Sequence, residues 1–212
     1  MNGFKSLLIS TLATTSLLAV GPMSLPKTDF VQGGGMSLKV LMSKPPQELD
    51  PNLCVLIGSA YLEGSLENGI QKSPKKGEAY LKYAGENGVA LADALLANHY
   101  LLNRDLDRYA RSMQRVVFSG DEKIAVPAGI LLGNFYSEIG QIPDSVRVLR
   151  YVAERYGDTR AQFLAGYAIL SGEYSAPDVS KRDGEFLIYQ ACTNPKSDPA
   201  VMAKCTQMGI KE

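Results

Sequence analysis

The stretch that decides the fold is NLCVLIGSAYLEG, residues 52–64, followed by KKGEAYLKYAGENG, residues 75–88. In each half the apolar and small residues recur at three- and four-residue intervals, the spacing of an amphipathic helix. The chain then repeats itself. Ile57-Gly58, Leu96-Ala97, Leu132-Gly133 and Ala165-Gly166 open the same pattern, and Tyr61, Tyr100, Tyr136 and Ile169 follow three residues after the small residue, with anchors 39, 36 and 33 residues apart. That period is the length of a two-helix repeat. The second halves align as residues 75–88, 107–120, 144–157 and 182–195. Their helical knobs are expected at Ala79, Tyr80, Tyr83 and Ala84 in the first repeat and at Val148, Leu149, Val152 and Ala153 in the third.

First helices are expected over about 52–63, 89–102, 124–138 and 159–171, and second helices over 74–87, 105–118, 143–156 and 181–193. A last helix over 198–208, with Asp198 as cap and Pro199 in its first turn, would close the series. Gly58, Ala97, Gly133 and Ala165 allow close approach between helices, and the tyrosines fill the space between repeats. A single hairpin cannot bury its apolar face alone, whereas stacked hairpins share a continuous core. The expected fold is therefore all-α: an α/α solenoid of about four helical hairpins, residues 52–209, with a C-terminal capping helix.

The pattern resembles the Sel1-like repeat family, a relative of the tetratricopeptide repeats. Ile57, Gly58, Tyr61, Gly64, Lys76, Tyr80, Ala84 and Gly88 carry the resemblance in the first repeat, and Ala128, Leu132, Gly133, Tyr136, Ala153 and Gly157 in the third. Ser112 and Leu187 stand where the family usually has an aromatic.

The N-terminus reads as an export signal, residues 1–21. Lys5 precedes an apolar run of 14 residues, 7–20, which suits a signal-peptide core and is short for a membrane span. Residues 22–51 form a leader broken by Gly33, Gly34 and Gly35 and by several prolines, in which MSLKVLM, 36–42, could form a short strand, a turn of helix or a segment that folds on a partner. Export places the chain in the periplasm or outside the cell, where cysteines meet an oxidising environment. Cys192 and Cys205 are then the expected disulfide, bracing the last repeat against the capping helix, and some exported Sel1-like proteins are similar in carrying such bridges. Two reduced cysteines remain the alternative in a cytoplasmic protein. Cys54 is expected to be buried as a small hydrophobe, with an intermolecular or swapped bridge also open.

Acids and bases balance at 22 each, which argues against a nucleic-acid binder. His99 is the only histidine, and neither Cys54 nor Asp93 is obviously brought beside it as a nucleophile or orienting group. Glu138, Asp144, Glu154 and Asp158 read as solvated faces and caps. No catalytic residue, metal site or cofactor is expected. Arg104, Arg108, Arg111 and Arg115 recur at helical spacing, as a solvated face or as a basic stripe for an acidic partner.

The expected function is a non-enzymatic interaction module. A groove formed by first helices would present Ser59, Glu63, Asn98, Leu101, Asn134, Phe135 and Gln162 to a protein partner in the cell envelope. The resemblance implies an adaptor or scaffold in an envelope complex, including the assembly of flagellar motor stators, with peripheral association to a membrane complex. A secreted effector that binds a host protein, or a hydrolase acting on cell-wall material or a β-lactam, are the alternatives.

Overall fold

A computed structural model describes residues 38–64 and 69–210. The export signal at 1–21 and residues 22–37 of the leader, including the three glycines, lie outside the described residues. Nine helices are described beyond two short turns: α1 Pro51–Glu63, α2 Pro74–Glu86, α3 Ala90–Leu102, α4 Leu106–Val117, α5 Glu122–Glu138, α6 Ile142–Tyr156, α7 Thr159–Leu170, α8 Lys181–Thr193 and α9 Pro199–Gln207. They pack mainly as antiparallel pairs of sequence neighbours, the arrangement of a generic α-solenoid. The chain divides into two compact units that meet in sequence at Ser119 and Gly120.

Several helix starts are written in the sequence. Asp50, Asp105, Asp121, Asp158 and Asp198 each accept a backbone N–H of the first turn that has no partner inside the helix. Pro51, Pro74 and Pro199 occupy first-turn positions where the missing N–H costs nothing. Ser180 and Asp183 form a reciprocal capping box on α8.

In the first unit α1 pairs with α2 and α3 with α4, and both α1 and α2 pack on α3. Gly58 and Gly77 set the first pair. A Cβ on Gly77 would lie 2.8 Å from the Gly58 carbonyl oxygen, and one on Gly58 would lie 2.7 Å from Leu81 Cγ. Residues 38–50, assigned to the leader on sequence, belong to this unit. A single helical turn, Leu38–Leu41, and a 3-10 turn, Pro46–Glu48, lead into α1, and Leu41 and Leu49 are buried. The Tyr61 hydroxyl donates to the Met42 carbonyl at 3.4 Å, and the Tyr80 hydroxyl donates to the Lys44 carbonyl at 2.5 Å and lies 3.3 Å from that of Met42. The part of MSLKVLM that is described therefore docks on its own chain.

In the second unit α5 pairs with α6 and α7 with α8, and α6 packs on α7. Gly133 lies under Leu149, its Cβ position 2.7 Å from Leu149 Cγ. Gly166 and Gly184 repeat the reciprocal contact of the first hairpin, each Cβ position 2.8–2.9 Å from the other's carbonyl oxygen. The capping helix α9 packs on α7 and α8. Cys192 and Cys205 are bridged, Cα atoms 5.7 Å apart, within a core cluster of Phe163, Ile188, Ala191 and Val201. The Asp198 N–H donates to Thr159 Oγ1 at 3.2 Å, tying the start of α9 to the start of α7.

The second helices bury one quartet per repeat: Gly77, Tyr80, Leu81 and Ala84; Tyr109, Ser112, Met113 and Val116; Ser145, Val148, Leu149 and Val152; Gly184, Leu187, Ile188 and Ala191. This corrects the alignment of 75–88 with 144–157 by one residue. Ala79 is exposed and Tyr83 only half-buried. The cause lies at the helix ends. Gly157 is itself the left-handed C-cap of α6, at φ 66°, whereas α2 is capped by Asn87 and its glycine, Gly88, comes one position later.

Two expected outcomes test this packing. In Gly166→Ala the new methyl meets backbone, which cannot turn aside as a side chain does. Alanine is the better helix former by about 1 kcal/mol, yet overpacking outweighs that, and a net loss of about 1–2 kcal/mol is expected in urea denaturation; an unchanged midpoint would contradict the close approach. Replacing both Cys192 and Cys205 by serine frees a twelve-residue loop and is expected to cost about 3 kcal/mol, read as a lower melting temperature.

Candidate functional site

The polar side chains that converge most tightly lie in the first unit, around Glu78 on α2. Its Oε2 accepts from the Tyr100 hydroxyl at 3.0 Å, Lys82 Nζ at 3.2 Å and Arg108 Nη1 at 3.3 Å, and its Oε1 lies 3.5 Å from His99 Nε2. Arg108 also binds Asp105 at 2.6 Å and lies over the Tyr100 ring, 4.5 Å from its centroid. Burial by itself would raise the Glu78 carboxyl, but hydrogen bonds from Lys82 and Tyr100, with the charges of Lys82 and Arg108, hold it below the ordinary glutamate value. Burial, and then the hydrogen bond to Glu78, push the Tyr100 hydroxyl up.

A second polar pair lies deeper. Asp93 on α3 is 3% exposed and accepts from Arg115 Nε on α4 at 2.7 Å. Gly85 makes the room: a Cβ there would sit 2.8 Å from Asp93 Oδ1. Glu78 joins α2, α3 and α4, and Asp93 joins α3 and α4, so both carboxylates act as cross-braces. Each is occupied by donors, which leaves neither positioned as a base beside a nucleophile. His99 faces Glu78 and Asn103, and Cys54 lies elsewhere, its Sγ 3.5 Å from the Pro46 carbonyl. Burial, reinforced by the Asp50 charge, pushes the Cys54 thiol up to about 11, so it stays protonated and unreactive near neutral pH. Among the described residues no three His, Cys, Asp or Glu side chains converge to hold a metal ion.

The arginines expected as a stripe do not form one row. Arg104 precedes α4, in the turn, and adopts φ 58°, a left-handed conformation that costs a residue with a Cβ about 1 kcal/mol. Arg108 and Arg115 are engaged by Glu78, Asp105 and Asp93, which leaves Arg104 and Arg111 without an ion pair among the described residues. The groove candidates also divide. Glu63, Asn98 and Leu101 are exposed in the first unit, and Asn134 and Phe135 are half-buried in the second. Ser59 and Gln162 are buried, at 5% and 8% exposure, and cannot face a partner in this conformation. First helices are covered on more than one side, so a position next to the small residue need not point outward. Gln162 shares its repeat position with Cys54, Asp93 and Gly129, all inward.

Two surface features were not assembled by the sequence reading, which singled out only Leu101 of the first. At the tip of the second hairpin Leu101, Leu102 and Leu106 are 40%, 74% and 43% exposed, around the strained Arg104. In the second unit a shallow cavity of about 440 Å³ is lined by Asp144, Arg147, Arg150, Tyr151 and Glu154 of α6 and by Tyr174 from the loop before α8. The signal for the leucine tip was present in the sequence as Leu101-Leu102 and Leu106 around a turn.

No family model matches the chain, and no curated protein matches it. The Sel1-like resemblance rests on the repeat residues themselves. No helix among the described residues is long and apolar enough to cross a membrane.

Glu78→Gln preserves shape and removes charge. Because the folded carboxyl is held low, its stabilisation is present above the ordinary glutamate value and is lost as pH falls through the lower folded value. The variant is expected to be less stable by about 1–2 kcal/mol at neutral pH, and to lose less than the wild type on acidification, in melts taken across the acid range.

Proposed function

We propose that this chain is a non-enzymatic interaction scaffold built from Sel1-like hairpins, exported and acting as an adaptor in a bacterial envelope complex. One observation carries the reading. The second hairpin exposes three leucines at its tip, on a frame whose polar groups are spent on holding the hairpins together. A stack that buries its own contacts in repeated positions and leaves large apolar side chains outside is suited to presenting them to a protein. The Cys192–Cys205 bridge supports an oxidising compartment, periplasmic or extracellular, because such bonds persist there and are rare in the cytosol.

On this reading the partner lies along Glu63, Asn98 and Leu101 and the adjoining Leu102, with Arg104 and Arg111 available to acidic groups beside the leucines. The stator assembly of a flagellar motor is the most specific form of the proposal, and it draws on the family resemblance alone.

The test is mild crosslinking of the exported protein in cell-envelope extracts, followed by capture and identification. A stator or basal-body protein among the products supports the motor role. Another defined envelope complex supports the scaffold and removes the motor. In either case Leu101→Glu with Leu102→Glu is expected to cut recovery by about tenfold or more while the helical spectrum stays unchanged. Absence of specific capture together with turnover of muropeptides would overturn the proposal.

A further inference from the structure

After α5 the chain turns on Gly140, at φ 79°, whose N–H bonds the Ser137 carbonyl while the N–H of Gln141 bonds that of Tyr136. After α3 it makes the same two bonds, from Arg104 to Leu101 and from Asp105 to Tyr100. Gly64 and Gly172 also take positive φ where α1 and α7 end. Among the described residues Arg104 is the one non-glycine at positive φ. Glycine is the ordinary solution for such a turn, because a Cβ is disfavoured there. The turn itself therefore gains nothing from the arginine, and strain kept at an exposed position points to a use for the side chain. Arg104 stands among the exposed Leu101, Leu102 and Leu106 and makes no ion pair among the described residues.

A second cation reaches the same edge from the first hairpin. Glu78 meets His99 and Tyr100 in the last turn of α3 and Arg108 in the first turn of α4, which sets the start of α2 beside the leucine tip. Lys75 lies one turn before Glu78 on that side of α2 and is exposed. Arg111, one turn beyond Arg108 on α4, is exposed as well. Neither Lys75 nor Arg111 makes an ion pair among the described residues. The acids of this edge do not cancel them. Asp105 is held by Arg108 and caps α4, Glu78 is surrounded by its donors, and Glu63 is balanced by Lys72 beside Gly64. Asp107 remains, against three unpaired cations.

We propose that this tip recognises a protein segment that carries carboxylates beside large apolar side chains. Leu101, Leu102 and Leu106 seat the apolar groups, and Arg104, flanked by Lys75 and Arg111, pairs with the acids. The inference rests on the interaction-module reading and supplies the partner's chemistry. An arginine presents a planar fork that matches a carboxylate, which is a reason to keep one where glycine would be easier. An anionic lipid surface fits less well. Asp105 and Asp107 flank Leu106, so seating that leucine in hydrocarbon would draw two carboxylates with it. A protein segment can place its acids at the cations and leave Asp107 in water.

The test uses random peptides displayed on phage, selected against the full exported chain with its disulfide intact, the enriched sequences then being synthesised and titrated by fluorescence anisotropy. Enrichment of acidic residues together with large apolar ones is expected, with affinity that falls as salt rises. Leu102→Glu is expected to weaken binding by about tenfold or more. Arg104→Gly separates use from structure: it is expected to melt higher, because glycine suits the turn, and yet to bind about fivefold more weakly. Arg147→Glu, on α6, is expected to leave binding unchanged. Enriched peptides without acids overturn the proposal, as does an Arg104→Gly variant that binds like the wild type. So does sedimentation of the chain with equimolar phosphatidylglycerol and phosphatidylcholine vesicles that depends on Leu102. Leucine-dependent envelope capture with no preference for acidic peptides sinks this inference and leaves the scaffold reading standing; acidic peptides selected where no envelope partner is captured do the reverse.

Discussion

Gly166 and Gly184 bring two helix backbones so close that a methyl group on either would sit 2.8–2.9 Å from a carbonyl oxygen of the other, and Gly58 with Gly77 makes a similar contact, at 3.1 and 2.8 Å, in the first hairpin. At that separation the large residues beside the glycines, Leu81 and Ile188, are pressed over the opposing helix and become fully buried. Gly133 achieves a one-sided version with Leu149. The rest follows from this spacing. It fixes which side of α2, α6 and α8 is buried, and therefore which of their side chains are left outside. Dense packing of this kind cannot deform gradually, since small changes in volume are felt directly.

Polar contacts set the next level. Within the first unit, Glu78 collects donors from three helices and Asp93 is buried against Arg115. Charged pairs of this type contribute little net attraction after desolvation, but a misregistered neighbour would strand a carboxylate without its donors. They therefore act more as a penalty on wrong stacking than as a source of attraction. The second unit uses covalent closure instead, with Cys192–Cys205 fastening a nine-residue helix that has few contacts of its own.

Much of this was legible in the sequence. Helix limits were given to within a few residues by aspartate caps, first-turn prolines and terminal glycines, and Gly58 and Gly133 marked tight crossings, whereas in the fourth repeat the crossing falls at Gly166 rather than at the expected Ala165. The quartets of the second helices were less legible, because aligning Gly88 with Gly157 ignores that one follows its cap and the other is the cap. That single-residue difference hid Leu81 behind Ala79. Glu78 was opaque for another reason. In KKGEAYLK it looks like any solvated acid, and its donors His99, Tyr100 and Arg108 come from 21 to 30 residues further along. Ser59 and Gln162 were misplaced as groove residues because periodicity locates the face turned to the paired helix but not the coverage from other helices, and α7, which carries Gln162, packs on α5, α6 and α9 besides α8. The expected arginine stripe assumed one continuous helix, whereas the chain turns after Arg104.

The covering of Cys54 bears on how a chain with an odd number of thiols reaches its correct bridge. Its sulfur is fully covered and lies 3.5 Å from the Pro46 carbonyl, inside the first unit, whereas Cys192 and Cys205 belong to the second. Once the first unit is folded, the third thiol is withheld from exchange by burial.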